Sequence, residues 1–382
     1  MAKGRRLIVV GILVLPATAF QAQAQTRRTL GAPDGSVAHD FSHIQSIREL
    51  PDKRVLVSDD RDRAVFLADF TGKTAEPRGR QGGGPLEFRQ PGSFLAMPEG
   101  RTLLLDPGNA RFLEFAVDGS ITGSVVPRGA KMLSLTAAWD SRGTDVRGRV
   151  YFEQLPGPLR PGQWRIVPIV RWDPGTVAMD TVASYTLRED MMSPAAAERG
   201  TDIILRPRAW APRPQWSVGP EGRIAMVEPA PYRVRWSMTS GWTVGTAVTW
   251  EPIRVSEEDR AAFKEGWETG PRGPSGPPEQ RPAGSKPPQR KRAGEPIYPE
   301  TMPPFSGRDA VRVGPDGVVW VARTRSVTDS IPIYDLFDAR GLRTAQVVFP
   351  PHTRLVGFGS RVLYLARKDA DDLEHLERVP WR

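Results

Sequence analysis

Short apolar runs broken by Pro, Asp and Gly set the rhythm of this chain. Val55-Leu56-Val57-Ser58-Asp59 follows Pro51-Asp52-Lys53-Arg54, and Thr102-Leu103-Leu104-Leu105-Asp106 follows Pro98-Glu99-Gly100-Arg101. The two units superpose at a shift of 47 residues, without a gap, through Gly72 and Gly119. Each holds a turn, an apolar strand, an acidic residue, a polar turn, a second apolar strand and a closing Gly. The runs are nearly unbroken rather than alternating, so both faces of each strand are expected to be buried. The same anchor precedes VYFE, IAMVE, VWVAR and VLYLAR. Taking Arg54, Arg101, Arg149, Arg223, Val318 and Arg361 as equivalent gives spacings of 47, 48, 74, 95 and 43. The two long spacings equal one repeat plus about 26 and about 48 residues, and a period of this size made of short strands marks propeller blades. The pattern predicts an all-β, six-bladed β-propeller over residues 25–382.

The strands of the first blade are expected at Phe41–Leu50 (innermost), Arg54–Ser58, Ala64–Asp69 and Lys73–Arg78. Asp59 and Asp106 end second strands and are read as caps of the following turns. The last blade has only three strands of its own, at 354–358, 362–367 and 373–379. An open blade would expose an edge, so part of 25–36 is expected to close it as its outermost strand. Two insertions interrupt the repeat, at 189–212 and 256–306. Ser193-Pro194-Ala195-Ala196-Ala197-Glu198 reads as a short helix with Pro at its first position. Ser256 reads as the cap of a second helix reaching Trp267, with acids in its first turn. Residues 271–294 hold seven Pro and four Gly with almost nothing apolar, a composition that predicts disorder.

The linker Gly82 to Pro91, GGGPLEFRQP, resembles that of the NHL-type six-bladed propeller repeat. That family's linker runs G-x-G-P-G-E-F-x-x-P into a strand, a D-G turn, an apolar strand and an Asp. Leu86 stands here where the family has Gly. The resemblance implies a six-bladed ring whose ligands lie at the channel mouth formed by connectors between blades. Such propellers include both enzymes and pure binding modules, so the fold alone does not assign an activity.

Charge narrows the partners. The net charge of +9 includes Lys3, Arg5 and Arg6, and 271–294 carries six basic residues against Glu279 alone. The rest is close to neutral, which argues against nucleic acid as a partner. The basic arm could contact anionic envelope surfaces. Residues 1–24 read as a signal peptide, with a basic start, an apolar stretch of about 14 residues and Ala22-Gln23-Ala24 as cleavage site. Export to the periplasm or beyond is expected, and a monomer. No Cys is present, so neither disulfides nor thiol chemistry enters.

Candidate chemistry is sparse. Of the four His, His39, His43 and His352 flank the first and last inner strands and could converge as a three-His zinc site, as the resemblance to amidating lyases implies. A calcium site of the lactonase-like kind takes a Glu, an Asn and an Asp from separate inner strands; here Asp40 and Asp309 lie near inner strands but Asn109 falls in a blade turn away from the channel, and six oxygens are not assembled. Gly82-Gly83-Gly84 reads as a turn, not a phosphate loop. Trp242, Trp250, Trp267 and Trp320 divide between core and a carbohydrate- or peptide-binding surface. With no complete catalytic set, the leading expectation is an exported, non-catalytic propeller, without cofactor, that binds a protein, peptide or glycan through one face. The alternative is a zinc- or calcium-dependent hydrolase or lyase.

Overall fold

A computed structural model describes residues 26–126, 141–154, 164–176, 178–191, 195–199, 202–269 and 295–381. The expected signal peptide and the basic arm 271–294 lie outside the described residues. Six sheets form the blades of a propeller and a separate two-stranded hairpin accompanies them.

Two strands precede the first blade: β1 (Thr26–Thr29) and β2 (Gly35–Phe41). Blade 1 is β3 (Ile44–Glu49), β4 (Val55–Asp59), β5 (Ala64–Asp69) and β6 (Thr74–Pro77), from inside outwards. Blade 2 is β7 (Phe94–Ala96), β8 (Thr102–Asp106), β9 (Arg111–Phe115) and β10 (Ile121–Val125). Blade 3 is β11 (Ser141–Thr144), β12 (Val150–Glu153), β13 (Trp164–Trp172) and β14 (Met179–Arg188). The hairpin β15 (Ala195–Arg199) and β16 (Asp202–Arg206) follows. Blade 4 is β17 (Gln215–Val218), β18 (Ile224–Pro229), β19 (Tyr232–Ser237) and β20 (Trp242–Val244). Helix α1 (Glu257–Thr269) leads towards blade 5, which is β21 (Val311–Val313), β22 (Val319–Ala322), β23 (Ile333–Phe337) and β24 (Arg343–Val348). Blade 6 is β25 (Thr353–Gly359), β26 (Val362–Lys368) and β27 (Glu374–Pro380).

The unbroken apolar runs have their expected cause. In β4, Val55 and Val57 pack against Tyr364, Val356 and Ala366 of blade 6, while Leu56 packs against Leu104 and Phe115 of blade 2. In β8, Leu104 faces back to blade 1 and Leu103 and Leu105 face Val150 and Phe152 of blade 3. Each of the six blade-to-blade junctions has one such apolar cluster. Burying one large side chain there is worth about 1.5–3 kcal/mol. The repeat anchors share a backbone requirement: Gly100, Gly148, Gly222 and Gly317 have φ of 75°, 75°, 83° and 78°. Glycine adopts this left-handed turn without steric cost.

The ring closes through the N-terminal segment, with a different division of residues from that expected. The outermost strand of blade 6 is β2, antiparallel to β27, with Gly35 opposite Arg378 and Phe41 opposite Glu374. Phe41 therefore ends this closing strand, and the inner strand of blade 1 begins only at Ile44. Residues 26–29 instead add a fifth, parallel strand to blade 5, with Thr26 opposite Ala345 and Thr29 opposite Val348.

The helix expected from Ser193 to Glu198 is also corrected. Ala195–Arg199 is extended and pairs with Asp202–Arg206. Cross-strand pairing outweighs the helix preference of three alanines, a preference of only a few tenths of a kcal/mol per residue.

Candidate functional site

All six inner strands begin at one end of the channel. Connectors between blades, and the loops after second strands, therefore share that face. Among the described residues, the opposite face carries short turns, such as those at Gly100, Gly222 and Gly317, and the two chain ends.

Asp59 and Asp106 hold the connector face together, Asp59 also as the cap of its following turn that the sequence suggested. Asp106 acts instead through the segment before its own blade, with no cap to the following turn's N–H groups. Asp59 Oδ2 accepts from the N–H groups of Ser42 and His43 at 2.7 and 3.1 Å, and Oδ1 from Arg61 and Asp62, both at 3.0 Å. Asp106 Oδ1 accepts from Arg89 and Gln90 N–H at 3.1 and 3.0 Å. Each buried carboxylate thus pins the chain just before an inner strand. The Gly82–Gly84 segment is a turn: Gly82 N–H donates to Phe88 O at 2.8 Å and Glu87 Oε2 accepts from Gly84 N–H at 2.7 Å.

Helix α1 docks on this face. Ser256 Oγ accepts from Asp259 N–H at 3.2 Å and Asp259 Oδ2 accepts from Ser256 N–H at 3.0 Å, a reciprocal cap. Asp259 Oδ1 reaches outward and accepts from Ser326 Oγ at 2.9 Å and Val327 N–H at 2.7 Å. Phe263 packs between Trp210 and Tyr298, tilted against the first at 5.5 Å and edge-on to the second at 6.0 Å. One helix therefore ties the connector before blade 4, the connector before blade 5 and the loop inside blade 5. Burial would raise the Asp259 carboxyl; hydrogen bonds from Val327, Ser256 and Ser326 more than offset it and leave it below its usual range. A carboxyl depressed in the docked state contributes stability above its free pKa of about 4 and loses it as pH falls through the docked value. We expect amide exchange in 257–269 to accelerate as pH is lowered below about 4, beyond the intrinsic pH dependence. Asp259→Ala is expected to show the fast exchange already at pH 7, at a cost of about 1–2 kcal/mol to the helix. Unchanged exchange in the variant would refute this role.

The three candidate zinc ligands are not brought together. His39 lies on the closing strand, with its ring 4.6 Å from Phe41 and 4.4 Å from Phe66. His43 Nδ1 is 2.7 Å from Asp60 Oδ1. His352 is exposed in the turn before β25, its N–H donating to Ser330 O at 2.8 Å. The calcium set is equally scattered. Asp40 faces His375 at 3.2 Å, Asn109 Nδ2 donates to Gly82 O and Asp106 Oδ2, and Asp309 stands before blade 5. No group of three metal-ligating side chains occurs among the described residues. Of the tryptophans singled out, Trp320 is core, and Trp242 and Trp250 lie under Arg235 and Arg323 at 4.3 and 5.6 Å.

What the channel mouth does assemble is arginine. Arg142 is the second residue of β11, and its Nη1 donates to Arg308 O at 2.5 Å. Arg308 Nη2 donates back to Ser141 O at 3.3 Å. Arg354, second in β25, bonds Glu374 Oε2 at 2.6 Å and Ile44 O at 2.7 Å. Enclosure by the blades would raise the Asp309 carboxyl. The guanidinium groups of Arg312, Arg308, Arg142 and Arg354 override this and hold it below the usual carboxylate range. Beside this cluster, Arg213 Nη2 donates to the buried Glu153 at 2.5 Å, which also accepts from Tyr185 Oη at 2.6 Å and Trp216 Nε1 at 2.9 Å.

Neither a family model nor a curated protein matches the chain. Among solved structures, a member of the DUF4221 family from Bacteroides vulgatus has a TM-score of 0.49 at 8% identity, covering 90% of this chain and 94% of that one. A Bacteroides fragilis protein assigned as exported has a TM-score of 0.46 at 10% identity, covering 94% and 99%. The calcium-binding regucalcin of Agrobacterium tumefaciens reaches 0.43 at 11% identity, covering 94% and 97%. The chain is a six-bladed β-propeller.

Proposed function

We propose that this chain is an exported, non-catalytic binding propeller of the NHL type that holds a protein, peptide or glycan on its connector face. The NHL assignment is supported by the Gly82–Pro91 linker, and export to the periplasm or beyond by residues 1–24. The observation that carries the binding reading is the concentration of built structure on one face. Helix α1 is locked there through Asp259, and on the same face Arg142 at the start of β11 bonds the main chain of the connector before blade 5. Among the described residues, the opposite face has short turns and the two chain ends. Ordering a helix on the connector face costs conformational entropy, about 1–2 kcal/mol per residue for the backbone, and a binding surface gives that investment a use.

The test is a peptide and glycan array probed with two sets of surface variants. The first set, Arg80→Ala, Lys264→Ala and Val327→Ser, alters exposed side chains of the connector face. The second, Glu99→Ala, Asp118→Ala and Asp316→Ala, alters exposed side chains of the turn face. We expect at least one variant of the first set to lose tenfold or more in affinity for whatever the wild type retains, about 1.4 kcal/mol, and none of the second. Equal losses from both sets would overturn the reading.

A further inference from the structure

His375 has a carboxylate at each ring nitrogen. Nε2 is 2.7 Å from Asp369 Oδ2, in the turn between β26 and β27, and Nδ1 is 3.2 Å from Asp40 Oδ1, on the closing strand β2. The ladder that joins β2 to β27 is interrupted. Gly35 and Ser36 face Arg378 and Glu377, Asp40 and Phe41 face His375 and Glu374, and the register shifts between the two stretches. The connector-face end of β2 therefore rests on a short piece of ladder, and His375 bridges it with side chains. A neutral imidazole has one N–H. The shorter contact, to Asp369, takes it and leaves the lone pair of Nδ1 against the Asp40 oxygen. The imidazolium has two N–H groups and a positive charge, so it attracts both carboxylates. The bond from His375 is also the largest influence holding the Asp369 carboxyl below its usual range. The neighbouring charges have partners of their own. Arg367, opposite His375 on β26, is 2.5 Å from Glu377, Lys368 is 2.5 Å from Asp372, and Glu374 is held by Arg354 at 2.6 Å. Asp371 is exposed in the same turn as Asp369, His39 turns the other way onto Phe41 and Phe66, and His352 stands in the turn before β25.

We propose that His375 is a proton-dependent clasp on the strand that closes the ring: protonated, it ties Asp40 of β2 to Asp369 of blade 6, and deprotonated, it releases Asp40. The Asp40 side chain is 62% exposed, so the freed carboxylate turns to water. A contact that needs a bound proton in the folded chain adds stability in acid and loses it as pH rises. The ring is thus closed most firmly at acidic pH. The sense is opposite to that of helix α1, whose docking through Asp259 weakens in acid.

The experiment is amide hydrogen exchange of the purified chain over residues 35–41, corrected for the intrinsic pH dependence. It is run at about pH 5.5 and about pH 8, on either side of the ordinary histidine value of about 6.5. The proteins are wild type, His375→Gln, Asp40→Asn and His352→Gln, the last an exposed histidine outside the clasp. Protection of 35–41 in wild type and in His352→Gln is expected to fall about threefold from the lower to the higher pH, the scale of a partly exposed ion pair. In His375→Gln and in Asp40→Asn it is expected to be the same at both. Asp40→Asn changes an exposed side chain and carries the test should His375→Gln fail to fold. Equal protection of the wild type at both pH values overturns the proposal. So does a fall that survives His375→Gln or Asp40→Asn, or one that disappears in His352→Gln.

Discussion

Asp335→Ala is expected to lower the free energy of unfolding by about 3–5 kcal/mol, among the largest effects of any single substitution in the chain. Asp335 is fully buried in the middle of β23 and serves four donors at once. Tyr232 Oη donates to Oδ2 at 2.7 Å, across the junction between blades 4 and 5. Arg323 reaches the same oxygen at 3.2 Å, while Gln346 Nε2 and Arg343 reach Oδ1 at 2.8 and 3.4 Å. The side chains of Arg323 and Arg343 are only 13% and 6% exposed, so neither can recover water when the carboxylate goes. The loss is dominated by the two stranded cations and the Tyr232 hydroxyl, whose own ionisation is pushed well up by burial and by Asp335. Asp335→Asn keeps acceptor capacity but removes the charge, and is expected to fall between wild type and alanine. Urea unfolding of the three proteins measures the series. A loss of less than about 1 kcal/mol in Asp335→Ala would mean that the network is dispensable.

The strands of this fold were legible because burial on both faces leaves a contiguous apolar word, such as VLV before Asp59 or LLL before Asp106, whatever the neighbouring blade contains. Asp59 was legible for a related reason, since a carboxylate ending such a word next to a polar turn has local N–H groups to accept from; Asp106 instead accepts from Arg89 and Gln90, 17 and 16 residues upstream. Asp335 and Glu153 were not legible. Each sits inside or at the end of an equally apolar run, but its partners Tyr232 and Arg213 lie 103 and 60 residues away. Sequence shows the buried charge and hides what satisfies it. The arginine mouth is invisible for the same reason: Arg142, Arg308 and Arg354 are ordinary residues of a chain rich in arginine until the ring brings their strand starts together. The histidines misled because position along the chain was taken for position at the channel. His39 precedes the first blade in sequence but belongs to the outermost strand of the last one. The Ala195–Arg199 strand shows a third kind of failure, where local preference is weak and tertiary pairing decides.

Closure of the ring gives the other large effect. Removing residues 26–41 is expected to leave the chain unable to hold a native ring at 25 °C, because both N-terminal strands go together. The two strands do not contribute equally. All four side chains of β1 are exposed, and only Leu30 beyond it enters the core between blades 5 and 6. In β2, Val37 and Phe41 are 4% and 0% exposed and fill the core between blades 6 and 1, where Phe41 meets Phe66 edge-on at 5.5 Å. Deleting 26–29 alone is therefore expected to cost about 1 kcal/mol or less, the scale of exposed edge pairing. Phe41→Ala is expected to cost about 3–5 kcal/mol, the usual range for a buried phenylalanine. The junction that β2 completes has further ties: Ile44 N–H donates to Glu374 Oε2 at 2.6 Å, and Tyr364 Oη donates to Glu49 Oε2 at 2.8 Å. These bonds remain in the truncated chain but cannot cover the apolar face that β2 leaves behind. A synthetic peptide spanning 30–41, added in trans, is expected to restore protease resistance to the chain lacking 26–41, and the Phe41→Ala peptide is not. Thermal melts and limited proteolysis of these proteins distinguish a closing strand from a peripheral tail. A truncated chain that melts like the wild type would show that blade 6 holds the ring with its own three strands.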